Sequence, residues 1–106
     1  MFAFLRKNNF TTVNVNDLAD IKEKINLVDI REPYEYHRGH LSGAKNIPMG
    51  TLLSNPDKYL SKDKTYHIIC QSGGRSLSAC NELDSAGYDV INVGGGTGSF
   101  VGSLKR

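Results

Sequence analysis

Apolar and polar positions alternate from Phe10 to Val15, which predicts a short strand. Asn16 then stands where a helix cap is expected, with Asp17 at the electropositive helix start. Leu18, Ile21 and Ile25 recur at helical spacing, with Lys22, Glu23 and Lys24 on the opposite, polar face. Asn26 ends that helix. Leu27-Val28-Asp29-Ile30 is a short apolar run of the kind a buried strand carries. Pro33 opens a short polar helix to about His37, and Ala44 to Ile47 is a small strand ended by Pro48. Leu52 and Leu53 mark another short helical piece before the turn at Asn55-Pro56-Asp57.

Tyr66-His67-Ile68-Ile69-Cys70 is the clearest strand, β-branched and aromatic, and Gln71-Ser72-Gly73-Gly74 follows at once. A helix is predicted from Arg75 to about Ala86, with Leu77, Cys80 and Leu83 on one face, Ala79 and Ala86 beside them, and Gly87 as its stop. Tyr88 to Val93 reads as a last strand, followed by Gly94-Gly95-Gly96 and at most a short terminal helix. Strand and helix alternate along the chain. That order predicts an α/β domain with a mostly parallel sheet and helices on both faces.

Composition narrows the classes. A chain of 106 residues has room for one core, so residues 1–106 are expected to be one domain. The net charge of +2 points to no nucleic acid and no membrane surface as partner. Two cysteines, Cys70 and Cys80, exclude a disulfide framework and a four-cysteine zinc module. The apolar start, Met1 to Leu5, is too short for a signal peptide, and its basic residues Arg6 and Lys7 follow it where a signal peptide has them in front. The expectation is a soluble cytoplasmic protein, in which free thiols are ordinary.

The segment Cys70-Gln71-Ser72-Gly73-Gly74-Arg75-Ser76 joins strand to helix. Such a loop turns successive N–H groups into one cradle, and the helix adds its positive end. A thiol at the loop's start is driven toward thiolate there. Arg75 adds a permanent cation at the far end, and Gly73 and Gly74 permit the curled backbone. Taken alone, the segment also fits an ordinary strand–helix turn with Cys70 as a buried core residue.

A second stretch bears on the choice. Val28 to Pro48 closely resembles the rhodanese signature D-x-R-x-x-x-E-[FY]-x-x-G-H-[IL]-x-G-A-x-N-[IL]-P, matched here by Asp29, Arg31, Glu35, Tyr36, Gly39, His40, Leu41, Gly43, Ala44, Asn46, Ile47 and Pro48. The run from Cys70 is similar to that family's active loop, C-x-x-G-x-R-[ST], and Tyr88 to Gly95 to its later strand and glycine turn. The resemblance spans roughly residues 10 to 102. It implies a five-stranded, mostly parallel sheet between helices, and sulfane-sulfur transfer through a persulfide on Cys70. The loop Gln71 to Ser76 would hold the persulfide and a small anionic donor such as thiosulfate. The acceptor would be cyanide, a thiol or a protein. No metal and no organic cofactor are implied. Related phosphatases and arsenate reductases carry C-x5-R, whereas this loop is C-x4-R. A phosphatase or arsenate reductase, against which the loop length argues, and a rhodanese-like module that only binds partners are the remaining alternatives.

Other candidates receive structural readings. Asp29, Arg31 and Glu35 are expected to form a salt-bridge and hydrogen-bond network behind the loop rather than to exchange protons. His40 is expected to be packed and hydrogen-bonded, since a transfer starting from thiolate needs no base. His37 and His67 are expected to have no role, and Cys80 to be a core thiol rather than a partner that resolves an oxidised Cys70. Gly94 to Gly96 lacks the Lys-Ser/Thr of a phosphate loop. Lys58, Lys62 and Lys64 read as a solvated face that can also attract an anionic donor or an acidic partner. Phe100 stands where many rhodaneses have tryptophan, and the tail is short, so the last helix is expected to pack less firmly.

Overall fold

The computed structural model describes residues 10–21 and 24–106. Among them five strands and three α-helices alternate: β1 (Thr12–Asn14), β2 (Asn26–Asp29), α1 (Pro33–Arg38), β3 (Lys45–Asn46), α2 (Met49–Ser54), β4 (Thr65–Ile69), α3 (Gly74–Ser85) and β5 (Asp89–Gly94). The strands form one sheet in the order β1-β5-β4-β2-β3, and every pairing in it is parallel. The opening stretch Met1 to Lys7, and Lys22 and Glu23, lie outside the described residues.

Both faces of the sheet are covered, and the strand period of two sorts the side chains. Val28, Tyr66, Ile68, Cys70 and Val90 face a core completed by Leu52 of α2 and by Ala79, Cys80 and Leu83 of α3. Leu27, Ile69 and Val93 face a second core with Val15, Leu41 and Ala44, against which Tyr36 of α1 and Phe100 pack. Each fully buried side chain of this size contributes roughly 1.5–3 kcal/mol. The α/β class and the five-stranded parallel sheet between helices are therefore as the sequence predicts.

Two elements differ. The helix predicted over Asp17 to Ile25 is a short 3-10 helix, Val15–Asp20, and the backbone is extended by Ile21, which is 36% exposed. Asn14, not Asn16, caps it: Asn14 Oδ1 accepts from the Asn16 N–H. Asn16 instead ties this turn to the C-terminal segment, donating to Ser99 O and accepting from the Val101 N–H. Asparagine side chains that bond to backbone compete with helix propagation. In α3 the buried stripe is Ser76, Ala79, Cys80 and Leu83, and Leu77 is 44% exposed. Ser76 faces inward beneath the loop, which turns Leu77 out.

Candidate active site

Parallel strands end on a common edge, and the candidate groups leave the sheet there. Asp29, the last residue of β2, is registered against Ile69, the last residue of β4, and the Ile30 N–H donates to Ile69 O. Asp29 and Cys70 therefore emerge side by side, where open α/β sheets place their sites.

Cys70 sits under the loop that follows β4 and is 1% exposed. Its Sγ accepts from the Gly73 N–H at 3.1 Å and the Ser76 N–H at 3.3 Å, and lies 3.4 Å from Ser76 Oγ. Burial pushes the thiol up, but the Ser76 hydroxyl and the N–H groups of Ser76, Gly73 and Ser72 outweigh it, and the net shift is downward. Ser76 Oγ also donates to Gly73 O at 3.2 Å. A hydroxyl has one proton, so it can serve Gly73 while Cys70 is a thiol and turn to Sγ when Cys70 is a thiolate. Gly73 makes the curl, with φ +104°; Gly74 already has ordinary helical geometry.

The loop is held from two sides. Arg75 forms a two-pronged ion pair with Glu35 of α1, Nη1 to Oε1 at 2.8 Å and Nη2 to Oε2 at 2.9 Å. The Arg75 guanidinium holds the Glu35 carboxyl at about 2. The cation expected at the loop's far end is thus present, but its charge is matched by Glu35 and it works as a strut. Arg31 is buried and paired with Asp29 at 2.8 Å; its Nη2 donates to Gly39 O and its Nη1 to Gln71 Oε1. Asp29 with Arg31 and Glu35 with Arg75 form two supports, and among the described residues none of these four side chains bonds to Sγ. His40 stacks on Tyr36 with ring centroids 3.7 Å apart, and its Nδ1 is 2.8 Å from Tyr36 O.

The glycine turn after β5 is the support that sequence reasoning passed over. The Thr97 N–H donates to Cys70 O and the Gly98 N–H to Gln71 O, both at 2.9 Å. A Cβ at Gly96, where φ is +64°, would lie 2.5 Å from both Cys70 O and Gln71 O. The turn holds the loop by its backbone. Composition showed three glycines in a row, but no side-chain signal marked their target.

Other candidates stay away from this edge. Lys62 lies over the Tyr88 ring and Lys58 over Tyr59. Both precede β4 with Lys64, at the end of the sheet opposite Cys70. Cys80 is wholly buried in the core, and burial pushes its thiol up to about 12. His67 is buried in β4, and desolvation lowers its pKa. Phe100 is half-buried against the second core after the 3-10 turn Thr97–Ser99, and the tail is tied back by paired backbone bonds between His40 and Lys105. The described residues hold no group of three His, Cys, Asp or Glu side chains suited to a metal ion.

The sequence pattern of the Rhodanese-like domain family matches residues 14–103. The chain belongs to the rhodanese family. A relative from Bacillus subtilis (strain 168), YtwF, provisionally named a sulfurtransferase, is 36% identical over 97 residues, 90% of this chain and 91% of its own length. A protein of Allochromatium vinosum named sulfurtransferase is 40% identical over 80 residues, 74% of this chain and 73% of its own. The crystal structure of a rhodanese-like domain protein from Staphylococcus aureus superposes with a TM-score of 0.78 at 30% identity, covering 91% of this chain and 97% of that one. In this rhodanese Gln71, the residue after Cys70, lines a cleft of about 520 Å³ together with Glu35 and Phe100. No helix among the described residues is long and apolar enough to cross a membrane.

Proposed function

We propose that this rhodanese is a sulfurtransferase that carries sulfane sulfur as a persulfide on Cys70. The observation that carries this reading is the cradle: two backbone N–H groups donate to Sγ itself, and the Ser76 hydroxyl lies within 3.4 Å of it. Donors aimed at that atom stabilise thiolate before attack and a persulfide afterwards.

The Cys70 thiolate attacks the outer sulfur of a donor such as thiosulfate. The new Sγ–S bond forms as the donor's S–S bond breaks, and sulfite leaves with the electron pair. An acceptor, which is cyanide, a thiol or a protein thiolate, then attacks the outer sulfur, and Cys70 leaves as thiolate. Neither step needs a metal, an organic cofactor or a general base. The near-complete burial of Cys70 favours a donor that presents a single sulfur atom. The names of the relatives support the transfer class, and the donor named here is the simplest that fits the cradle.

Incubation with thiosulfate or polysulfide followed by intact mass measurement tests the reading. The expected result is a gain of one sulfur atom, absent in Cys70→Ser and removed by cyanide. A protein that gains no sulfur from either donor refutes it.

A further inference from the structure

The cleft beside the loop has more room than a donor the size of thiosulfate requires. Its volume, about 520 Å³, lies in the range of small-molecule sites. Gln71, the residue after Cys70, forms part of its wall. Two charged side chains line it together with Arg38: Arg31 is matched by Asp29, and Glu35 by Arg75. Arg38 is the remaining one. It is exposed, and among the described residues it pairs with no carboxylate. Its guanidinium lies 5.7 Å from the centre of the Tyr34 ring one helical turn earlier, and Tyr34 lines the same cleft. The unmatched charge facing the cleft is therefore positive.

The remaining groups fit a short organic molecule. Gln71 Oε1 is taken by Arg31 Nη1, which leaves the amide N–H2 as the group free to donate. Leu104 supplies apolar wall for a carbon chain.

We propose that this cleft seats the sulfur acceptor, and that the acceptor is a small thiol bearing a carboxylate, which Arg38 holds. The proposal rests on the sulfur-transfer reading above. The acceptor thiolate attacks the outer sulfur of the Cys70 persulfide. Its new S–S bond forms, the Sγ–S bond breaks, and Cys70 departs with the electron pair as thiolate. Two anions enter and two leave, so no oxidant or reductant is needed. A cleft with unmatched positive charge favours this approach, because both reacting partners are anionic.

The test uses three thiols of similar size: 3-mercaptopropionate, 2-mercaptoethanol and cysteamine, which are anionic, neutral and cationic away from the thiol. The protein is first loaded with sulfur, loading is read by intact mass, and kcat/KM is measured for each acceptor. The quantity read is the ratio of 3-mercaptopropionate to cysteamine in wild type relative to the same ratio in Arg38→Gln. That comparison cancels the thiols' intrinsic reactivities. The expected result is a fall of about fivefold at low salt, the size an exposed ion pair gives, shrinking as salt is added. Arg38→Lys should restore part of it, whereas a merely structural role would move all three thiols together. An unchanged ratio with full loading overturns the acceptor proposal and leaves sulfur transfer standing. So does a loaded protein that gives sulfur only to protein thiols. Failure to load overturns sulfur transfer, and this proposal with it.

Discussion

Ser76→Ala removes one oxygen from the cradle and little else. Alanine is the strongest helix former, and residue 76 lies in the first turn of α3, so the helix itself is not weakened. The bond from Ser76 Oγ to Gly73 O is lost, at a cost of about 1 kcal/mol in stability. The second effect is on Cys70. A hydrogen bond to a charged group contributes about 1.5–3 kcal/mol, and at 3.4 Å this one belongs at the low end. In the thiol form the same proton serves Gly73 O, so ionisation gains only the difference, about 0.5 kcal/mol, and the Cys70 pKa should rise in the variant. Thiolate at a fixed pH below the pKa then falls about twofold. The more basic sulfur is also more nucleophilic, with a Brønsted slope near 0.4–0.5, so the net loss of rate is below about twofold.

The assay is the rate of alkylation by iodoacetamide against pH, with the modified residue located by mass spectrometry. In wild type the rising limb should have its midpoint below the ordinary thiol value, because the thiolate is favoured in the fold. In Ser76→Ala that limb should move to higher pH, and the plateau above it should not fall. Cys80 should stay unmodified in both, being wholly buried and protonated up to about pH 12. A variant whose midpoint coincides with wild type, or falls below it, refutes the assignment of the Ser76 hydroxyl as a donor to the thiolate.

Gly96→Ala forces a Cβ to 2.5 Å from two carbonyl oxygens at a left-handed φ; a cost of about 3 kcal/mol should lower the melting temperature by roughly 10–20 °C and reduce sulfur loading of what remains folded. Glu35→Gln removes the strut on Arg75, whose side chain is 40% exposed, so the loss after solvent screening is about 1 kcal/mol at neutral pH. Because the folded Glu35 titrates at about 2 against an ordinary 4.5, its contribution is present above 4.5 and lost as pH falls through 2; urea melts of the two proteins should differ at pH 7 and converge toward pH 2. Cys80→Ala should lose about 1–2 kcal/mol of stability yet load with sulfur as wild type does; a variant as inert as Cys70→Ser refutes the core-thiol reading.

The sequence was most informative where one physical rule dominated. β4 is a run of Tyr, His, Ile and Ile with a cysteine at its end, and both its burial and the loop after it follow from that run and its glycines. It was least informative where contacts between distant segments decide. Leu18, Ile21 and Ile25 are spaced as a helix, but only Leu18 and Ile25 pack on the second core, and Asn14 and Asn16 spend their side chains on backbone groups near and far. Local spacing carries no information about those distant partners. The same holds for the support of the active loop. Residues 96–98 reach Cys70 and Gln71 through backbone N–H groups, which every residue except proline possesses. The Arg75–Glu35 pair joins residues 40 apart, and a formal charge count shows neither its existence nor the neutralisation that leaves Arg38 unmatched.

Loop length and donor direction together separate sulfur transfer from phosphoryl chemistry. A tetrahedral oxyanion needs donors arranged around oxygens that lie beyond the nucleophile, and a cation free to bind them. Here the Gly73 and Ser76 N–H groups point at Sγ itself, and the Arg75 guanidinium is bonded to Glu35 through both terminal nitrogens. Four residues between Cys70 and Arg75 close the loop on one atom. A phosphate entering this loop would have to take hydrogen bonds from the sulfur that must attack it, and would meet a guanidinium already neutralised. Millimolar phosphate or arsenate should therefore leave the alkylation rate of Cys70 unchanged, and p-nitrophenyl phosphate should not be hydrolysed. Saturable protection by either oxyanion, together with phosphate release that Cys70→Ser abolishes, would mean that the loop widens on binding and that the donors seen on Sγ can be redirected to oxygen.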